Sequence, residues 1–244
     1  HLQIDIFFFR LTYQLFLLIR LLLHKINLRF YMEDSYLHKG LRRKLVDEIK
    51  RKGIRDQAVL DAINKVPRHL FMDSSFTKFA YKDQAFPIGS GQTISQPYTV
   101  AFQTELLEVK KMDKILEIGT GSGYQAAVLI ELGAKVYTIE RQKKLMLKAK
   151  ALLPKIGYHP HFFYGDGYSG LPSYAKFDKI LITAAAADIP EKLLEQLKIG
   201  GRMVVPIGSS YSQTMTLVVK IGEQDYKKSE HGYFVFVPML KGKV

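Results

Sequence analysis

Cysteine is absent from the 244 residues of this chain. That absence excludes a disulfide scaffold, thiolate metal sites, a cysteine nucleophile and any attack on a nucleic-acid base through a thiol. Chemistry must therefore run on oxygen or nitrogen. A long uncharged apolar run is also missing from the apolar N-terminal part. Its longest charge-free stretch, residues 11–19, is nine residues between Arg10 and Arg20, against the ~20 that a spanning helix needs. A transmembrane helix is not expected. Acids are scarce beside bases, 23 against 36, for a formal charge of +13. Concentrated on one face, that excess would suit a nucleic acid or an anionic membrane. Yet Arg42-Arg43-Lys44 is followed by Asp47 and Glu48, so such runs read as solvated helix faces and argue for no nucleic-acid partner. Apolar residues at 47% and charged residues at 24% are ordinary for a folded chain, and the length fits one large domain or a domain with an appendage.

Residues 1–31 differ from the rest: they hold one acid, four Lys/Arg and a heavy load of Leu, Ile and Phe. No small-residue cleavage site follows the apolar run, which counts against a signal peptide. Three readings stand: upstream sequence outside the natural product, with Met32 as the start; an interfacial helix; or a helix packed on a partner. The first is preferred. Residues 1–31 are thus expected to be a hydrophobic leader and residues 32–244 the folded domain, which keeps a charge of +10.

Leu41, Leu45, Val46 and Ile49 recur at helical spacing, with Gly53 where a helix would stop,. Asp56 can cap a second helix with Val59, Leu60 and Ile63 on one face, ending near Pro67,. Residues 86–98 are glycine-rich and polar, before a helix-like run through Val100, Thr104 and Leu107. Pro97 suits a first helical position, leaving Ser95 or Gln96 as N-cap,. Strand and helix then alternate: strand 114–118, helix 124–132, strand 135–139, helix 143–153 stopped by Pro154, strand 161–164, strand 177–183, helix 190–197 closed by Gly200-Gly201, and strand 203–205. This rhythm predicts a doubly wound, mostly parallel α/β sheet with helices on both faces. The late apolar runs 214–221 and 233–237 are expected to pair as an antiparallel edge,.

Between the first strand and its helix lies Glu117-Ile118-Gly119-Thr120-Gly121-Ser122-Gly123. Glycines there let the backbone turn sharply and approach a ligand. The third glycine comes one residue too early for a dinucleotide fingerprint, and Tyr124 follows it, which counts against a pyrophosphate cradle. Glu140 closes the second strand, where an acid accepts hydrogen bonds from ribose hydroxyls. Asp166, between Gly165 and Gly167, follows the third strand in a setting suited to a nucleobase edge. Together these describe a nucleoside site at a topological switch point, and a ribose clamp without a phosphate cradle fits S-adenosyl-L-methionine best. His159 and His161 have no third ligand near them in sequence, so no metal is expected,.

Gln92-Thr93-Ile94-Ser95-Gln96-Pro97-Tyr98 after Pro87-Ile88-Gly89, the loop LEIGTGSGY at 116–124, Gly165-Asp166-Gly167, Thr183-Ala184-Ala185, Val205-Pro206-Ile207-Gly208, and Val237-Pro238 before Lys241-Gly242 occur in that order. In this the sequence resembles the protein-L-isoaspartate O-methyltransferases, over about residues 36–243. The resemblance implies a methyltransferase (Rossmann-like) fold with an N-terminal helical cap over about residues 36–85. It implies methyl transfer from S-adenosyl-L-methionine, leaving S-adenosyl-L-homocysteine, to the free α-carboxylate of L-isoaspartyl residues in damaged peptides and proteins. Repair then proceeds through the methyl ester and a succinimide. A cytoplasmic monomer without nucleic-acid or membrane partners is expected. Ser95 is the implied catalytic residue. Thr93, Ile94, Ser95, Gln96, Val205, Pro206 and Ile207 are implied for the substrate. Glu117, Gly119, Thr120, Gly121, Ser122, Gly123, Glu140, Arg141, Gly165, Asp166, Gly167 and Thr183 are implied for the cofactor.

Other readings of the residues stay open. Cytosine C5 chemistry needs a thiol, and the Thr183–Asp188 segment offers small residues where amine methylation wants an Asn or Asp with prolines and an aromatic. Methylation of an RNA ribose and a non-catalytic adenosine-ligand binding module remain as alternatives.

Overall fold

The computed structural model describes residues 20, 33–209 and 211–244. The leader expected over residues 1–31 lies outside the described residues apart from Arg20. The chain divides into two units, residues 1–39 and residues 40–244, and helix α1 (Tyr36–Arg51) carries it from the first into the second. Everything below concerns the second.

Gly53 ends α1 at φ +113°, a conformation few other residues tolerate,. Helix α2 (Gln57–Lys65) is capped as expected: the Asp56 carboxylate accepts from the Ala58 and Val59 N–H groups. The glycine-rich polar segment begins with a hairpin of β1 (Phe86–Gly89) and β2 (Gln92–Ile94), paired Phe86 to Ile94 and Pro87 to Thr93. Its turn places Ser90 and Gly91 at φ 53° and 66°. So short a ribbon carries too few alternating residues to be read from composition. Helix α3 (Pro97–Leu107) follows.

The central sheet has seven strands. They are β3 (Lys114–Ile118), β4 (Lys135–Glu140), β5 (His161–Tyr164), β6 (Phe177–Ile182), β7 (Leu197–Gly208), β8 (Gln213–Lys220) and β9 (Tyr226–Phe234). Helices α4 (Tyr124–Glu131), α5 (Lys143–Leu152) and α6 (Glu191–Glu195) lie between them in sequence. The order is β5-β4-β3-β6-β7-β8-β9, parallel through β7 and antiparallel beyond. Ile115, Leu116, Ile180, Leu181 and Ile182 are all inaccessible to solvent although successive side chains point to opposite faces, which requires cover on both sides of the sheet. Each such side chain contributes about 1.5–3 kcal/mol by burial. The sheet is doubly wound, and the crevice where ligands bind falls between β3 and β6, where the strand order reverses,.

Three expectations change. Pro154 does not simply stop α5; it opens a 3-10 turn over Leu153–Ile156, because a first-turn proline needs no N–H,. Helix α6 is only five residues long, and Gly200-Gly201 sit inside β7 rather than closing a helix. A register shift between Phe177 and Lys179 marks the irregular part of that pairing. The edge strand β9 is the mostly charged segment 226–234, which takes in only Tyr233 and Phe234 of the apolar run 233–237, paired antiparallel with Thr214 and Gln213. Lysines suit an edge that must resist further pairing, and the apolar residues beyond it serve the cavity described next.

Candidate active site

One cleft of about 850 Å³, its open mouth included, gathers the carboxyl ends of β3, β4 and β6 with the end of the β1–β2 hairpin. That is room for a nucleoside-sized ligand. Of the residues expected from sequence, Thr93, Ile94, Ser95, Gly119, Thr120, Gly121, Ser122, Glu140, Arg141, Gly167 and Thr183 line it.

The glycine loop is braced by side chains from the neighbouring strands as well as by its own Gly123 N–H to Thr120 carbonyl bond of 2.7 Å. Gly119 has φ +97°, and a Cβ there would lie 2.6 Å from the Thr183 hydroxyl oxygen. That hydroxyl, at the end of β6, donates towards the Ile118 and Gly119 carbonyls, both at 2.9 Å. The Glu140 carboxylate accepts from Gly121 N–H at 2.9 Å and Gln142 N–H at 2.8 Å. Thr120 and Thr138 share a hydroxyl hydrogen bond of 2.7 Å. Gly123 starts α4 at φ +86°.

Glu117 lies beneath this loop, wholly buried, and among the described residues neither oxygen of its carboxyl group has a hydrogen-bond partner. Burial pushes its pKa up to about 8; the nearby Thr138 hydroxyl opposes the shift and the charge of Glu140 adds to it,. Tyr124 also lines the cleft and is backed by the buried Arg68 guanidinium, 4.9 Å from its ring centroid. Burial pulls that arginine down to about 10, against the opposing influence of Tyr124 and Asp83.

The acceptor side is built by Thr93, Ile94 and Ser95 running into α3. Gln96, not Ser95, is the N-cap, and no described residue hydrogen-bonds the Ser95 hydroxyl, which leaves it free to meet a ligand.

The remaining expected residues stand back from the cleft. Asp166 turns its carboxylate to the Tyr168 N–H (2.9 Å) and the Gly242 N–H (2.8 Å). Gly165 packs where a Cβ would lie 2.8 Å from Ile139. Val205, Pro206 and Ile207 belong to β7, with the Pro206 carbonyl accepting from Ala186 N–H at 2.9 Å. Gln96, Glu117 and Gly123 flank or underlie the lining without being part of it.

The far wall was not anticipated from sequence: Val237, Pro238, Met239 and Leu240 close the cleft. They are held by Ala185 N–H to the Val237 carbonyl (2.8 Å) and Met239 N–H to the Ala185 carbonyl (2.7 Å). The chain beyond is strapped down by Arg141, which donates to the Gly242 and Lys241 carbonyls, both at 3.2 Å. Gln92, Val100, Ile118, Tyr124, Gln125, Ile139, Gln142 and Ala184 complete the unforeseen lining.

A model of the protein-L-isoaspartate(D-aspartate) O-methyltransferase family matches residues 40–244. The chain belongs to this family. Relatives named protein-L-isoaspartate O-methyltransferase include one from Flavobacterium johnsoniae, 60% identical over 213 residues, and one from Christiangramia forsetii, 58% identical over the same length. Each alignment covers 87% of this chain and 100% of the relative. A solved protein-L-isoaspartate O-methyltransferase superposes with TM-score 0.73 at 30% identity, covering 81% of this chain and 65% of its own. A Plasmodium falciparum structure described under the same family name, in complex with S-adenosyl-L-homocysteine, gives TM-score 0.71 at 25% identity, with coverage of 82% and 99%. The family's fold is therefore this chain's fold. Among the described residues no helix is long and apolar enough to cross a membrane.

Proposed function

We propose that the protein methylates the free α-carboxylate of L-isoaspartyl residues in damaged peptides and proteins, with S-adenosyl-L-methionine as methyl donor. The observation that carries this beyond family membership is the pairing, in one cleft, of a nucleoside-type acid and glycine loop with a serine whose hydroxyl no described residue engages. The donor's residues fit it. Glu140 keeps lone pairs for ribose hydroxyls after taking its two backbone donors. Gly119 leaves space where any side chain would meet Thr183, and beneath the same loop the buried Glu117 carboxyl group has no hydrogen-bond partner among the described residues. Glu117, Gly119, Thr120, Gly121, Ser122, Gly123, Glu140, Arg141, Gly165, Asp166, Gly167 and Thr183 make up the proposed donor site. Most of them touch the cleft; Asp166 and Gly165 support it through the tail and the packing on Ile139.

The bound donor supplies an electrophilic methyl on a sulfonium. The acceptor needs little activation, because a carboxylate with a pKa near ~4 is already ionised at neutral pH and no general base is required. The protein's task is position. Ser95 holds the carboxylate with its hydroxyl, beside the N-terminus of α3, whose positive end favours an anion. Ile94, Val100 and Val237 keep water from it,. Thr93 and Gln96 flank the acceptor, and Val205-Pro206-Ile207 carry the wall behind it. In the ester product the next backbone nitrogen attacks the carbonyl and methanol leaves, giving the succinimide whose hydrolysis restores some normal linkage.

Action as a monomer and a cytoplasmic site of action complete the reading. The family match over residues 40–244 supports residues 32–244 as the methyltransferase domain, with residues 1–31 outside it. The test is to incubate the protein with labelled donor and either aged peptide or RNA, then treat with mild base. Label that leaves as methanol from the peptide is expected; base-stable label, or label on RNA only, contradicts the proposal.

A further inference from the structure

The acid that fixes the Ser95 segment lies outside every motif above. Helix α3 has an awkward start: Gln96 is its N-cap but makes no side-chain cap bond, and Pro97 has no N–H, so the first free backbone donor is that of Tyr98,. Asp83 meets it. Its Oδ1 accepts from Tyr98 N–H at 2.7 Å, while its Oδ2 accepts from the Gln96 amide Nε2 at 2.9 Å. The same Oδ2 takes Lys52 Nζ at 2.6 Å, and Lys52 reaches Glu48 at 2.7 Å. The Asp83 side chain is only 2% exposed. These contacts bracket Ser95 on its C-terminal side and do not touch it, so the carboxylate controls the path of the backbone that carries the hydroxyl.

We infer that Asp83 is a positioning residue for the acceptor site, aiming Ser95 through Gln96 and Tyr98, with Lys52 as the countercharge that keeps this fixed anion from repelling the acceptor carboxylate. The inference rests on the reading of Ser95 as the residue that holds that carboxylate. Asp83 acts like an N-cap borrowed from the preceding loop. A cap alone would lower stability when removed, but it would not divide peptide kinetics from donor binding.

The experiment compares Asp83→Ala, Asp83→Asn, Lys52→Met, the Lys52→Met/Asp83→Asn pair and Ser95→Ala in the full chain. It reads kcat and KM for an isoaspartyl peptide and the Kd of S-adenosyl-L-homocysteine. Asp83→Ala is expected to lower kcat/KM for peptide by about 100-fold, the scale of an ångström-sized misplacement, and to leave the Kd within about twofold. Asparagine keeps an acceptor for Tyr98 N–H and is expected to recover most of that loss. Lys52→Met should raise the peptide KM several-fold by leaving Asp83 uncompensated, and adding Asp83→Asn should lower it again. Equal losses in kcat/KM and donor affinity, asparagine no better than alanine, or no reversal in the double variant would each overturn the inference. Should Asp83→Ala fail to fold, the asparagine and Lys52 variants decide alone. Unchanged turnover in Ser95→Ala would bring down the Ser95 reading and this inference with it. A large loss there beside an active Asp83→Ala would overturn the inference only.

Discussion

Replacing Glu117 by glutamine should make the ligand-free protein more tolerant of alkaline pH while weakening its hold on the donor. With a folded-state pKa of about 8 against an ordinary value of 4.5, the folded state keeps a proton that the unfolded chain releases. Below pH ~4.5 both states are protonated and Glu117 adds no pH-dependent cost. Between ~4.5 and ~8 stability falls as pH rises, by about 1.4 kcal/mol per unit, and above ~8 the loss is complete. At pH 7 the cost is roughly 3 kcal/mol, an upper figure, equivalent to about 6–12 °C in Tm for a domain of this size. Glutamine removes the pH-dependent part and adds its own pH-independent cost as a buried amide without partners. The assay is the thermal midpoint of both proteins, ligand-free, from pH 5 to 8.5. The difference in Tm should move steadily in favour of the variant as pH rises. Parallel curves would show that Glu117 is not a strained acid. With S-adenosyl-L-homocysteine present the order should reverse, since wild type gains more from the ligand.

Ser95→Ala should cut turnover by about 10²-fold while changing the Kd of S-adenosyl-L-homocysteine little; equal losses in both would refute its assignment to the acceptor. Glu140→Ala should do the opposite, weakening that Kd by about 10–100-fold in a calorimetric titration, because it removes the acid and also frees the Gly121 and Gln142 N–H groups,. Gly123→Ala should cost about 2–4 kcal/mol, read as a lower denaturation midpoint, because φ +86° is strained for alanine and its Cβ would sit 2.4 Å from Leu153 Cδ1,.

The parallel strands were legible because each is a short apolar run ending in a residue that must do something other than continue: Gly119 after β3, Glu140 at the end of β4, Gly165 after β5. The same punctuation exposed the donor loop. What stayed hidden depends on contacts between segments far apart in sequence. The wall at Val237–Leu240 is held by Ala185, which offers both an N–H and a carbonyl to it, and no periodicity announces that. The edge strand β9 was concealed by its lysines, since an edge exposed to water does not need the apolar alternation that betrays an inner strand. Asp166 stands at the expected strand end, and what its position does not announce is that its two oxygens also accept backbone N–H groups, one of them in the tail at Gly242. Asp83 carries no motif of its own and becomes visible only when the missing cap of α3 is traced to its source.

The central claim, that the cleft positions an isoaspartyl carboxylate for methylation, is tested most directly with two synthetic peptides identical except for one linkage, isoaspartyl or normal aspartyl. The measurement is the kcat/KM for base-labile methyl incorporation into each. Incorporation into the isoaspartyl peptide, with none above background in its twin, is the predicted result; equal rates for the two, or label that survives base, would contradict the account.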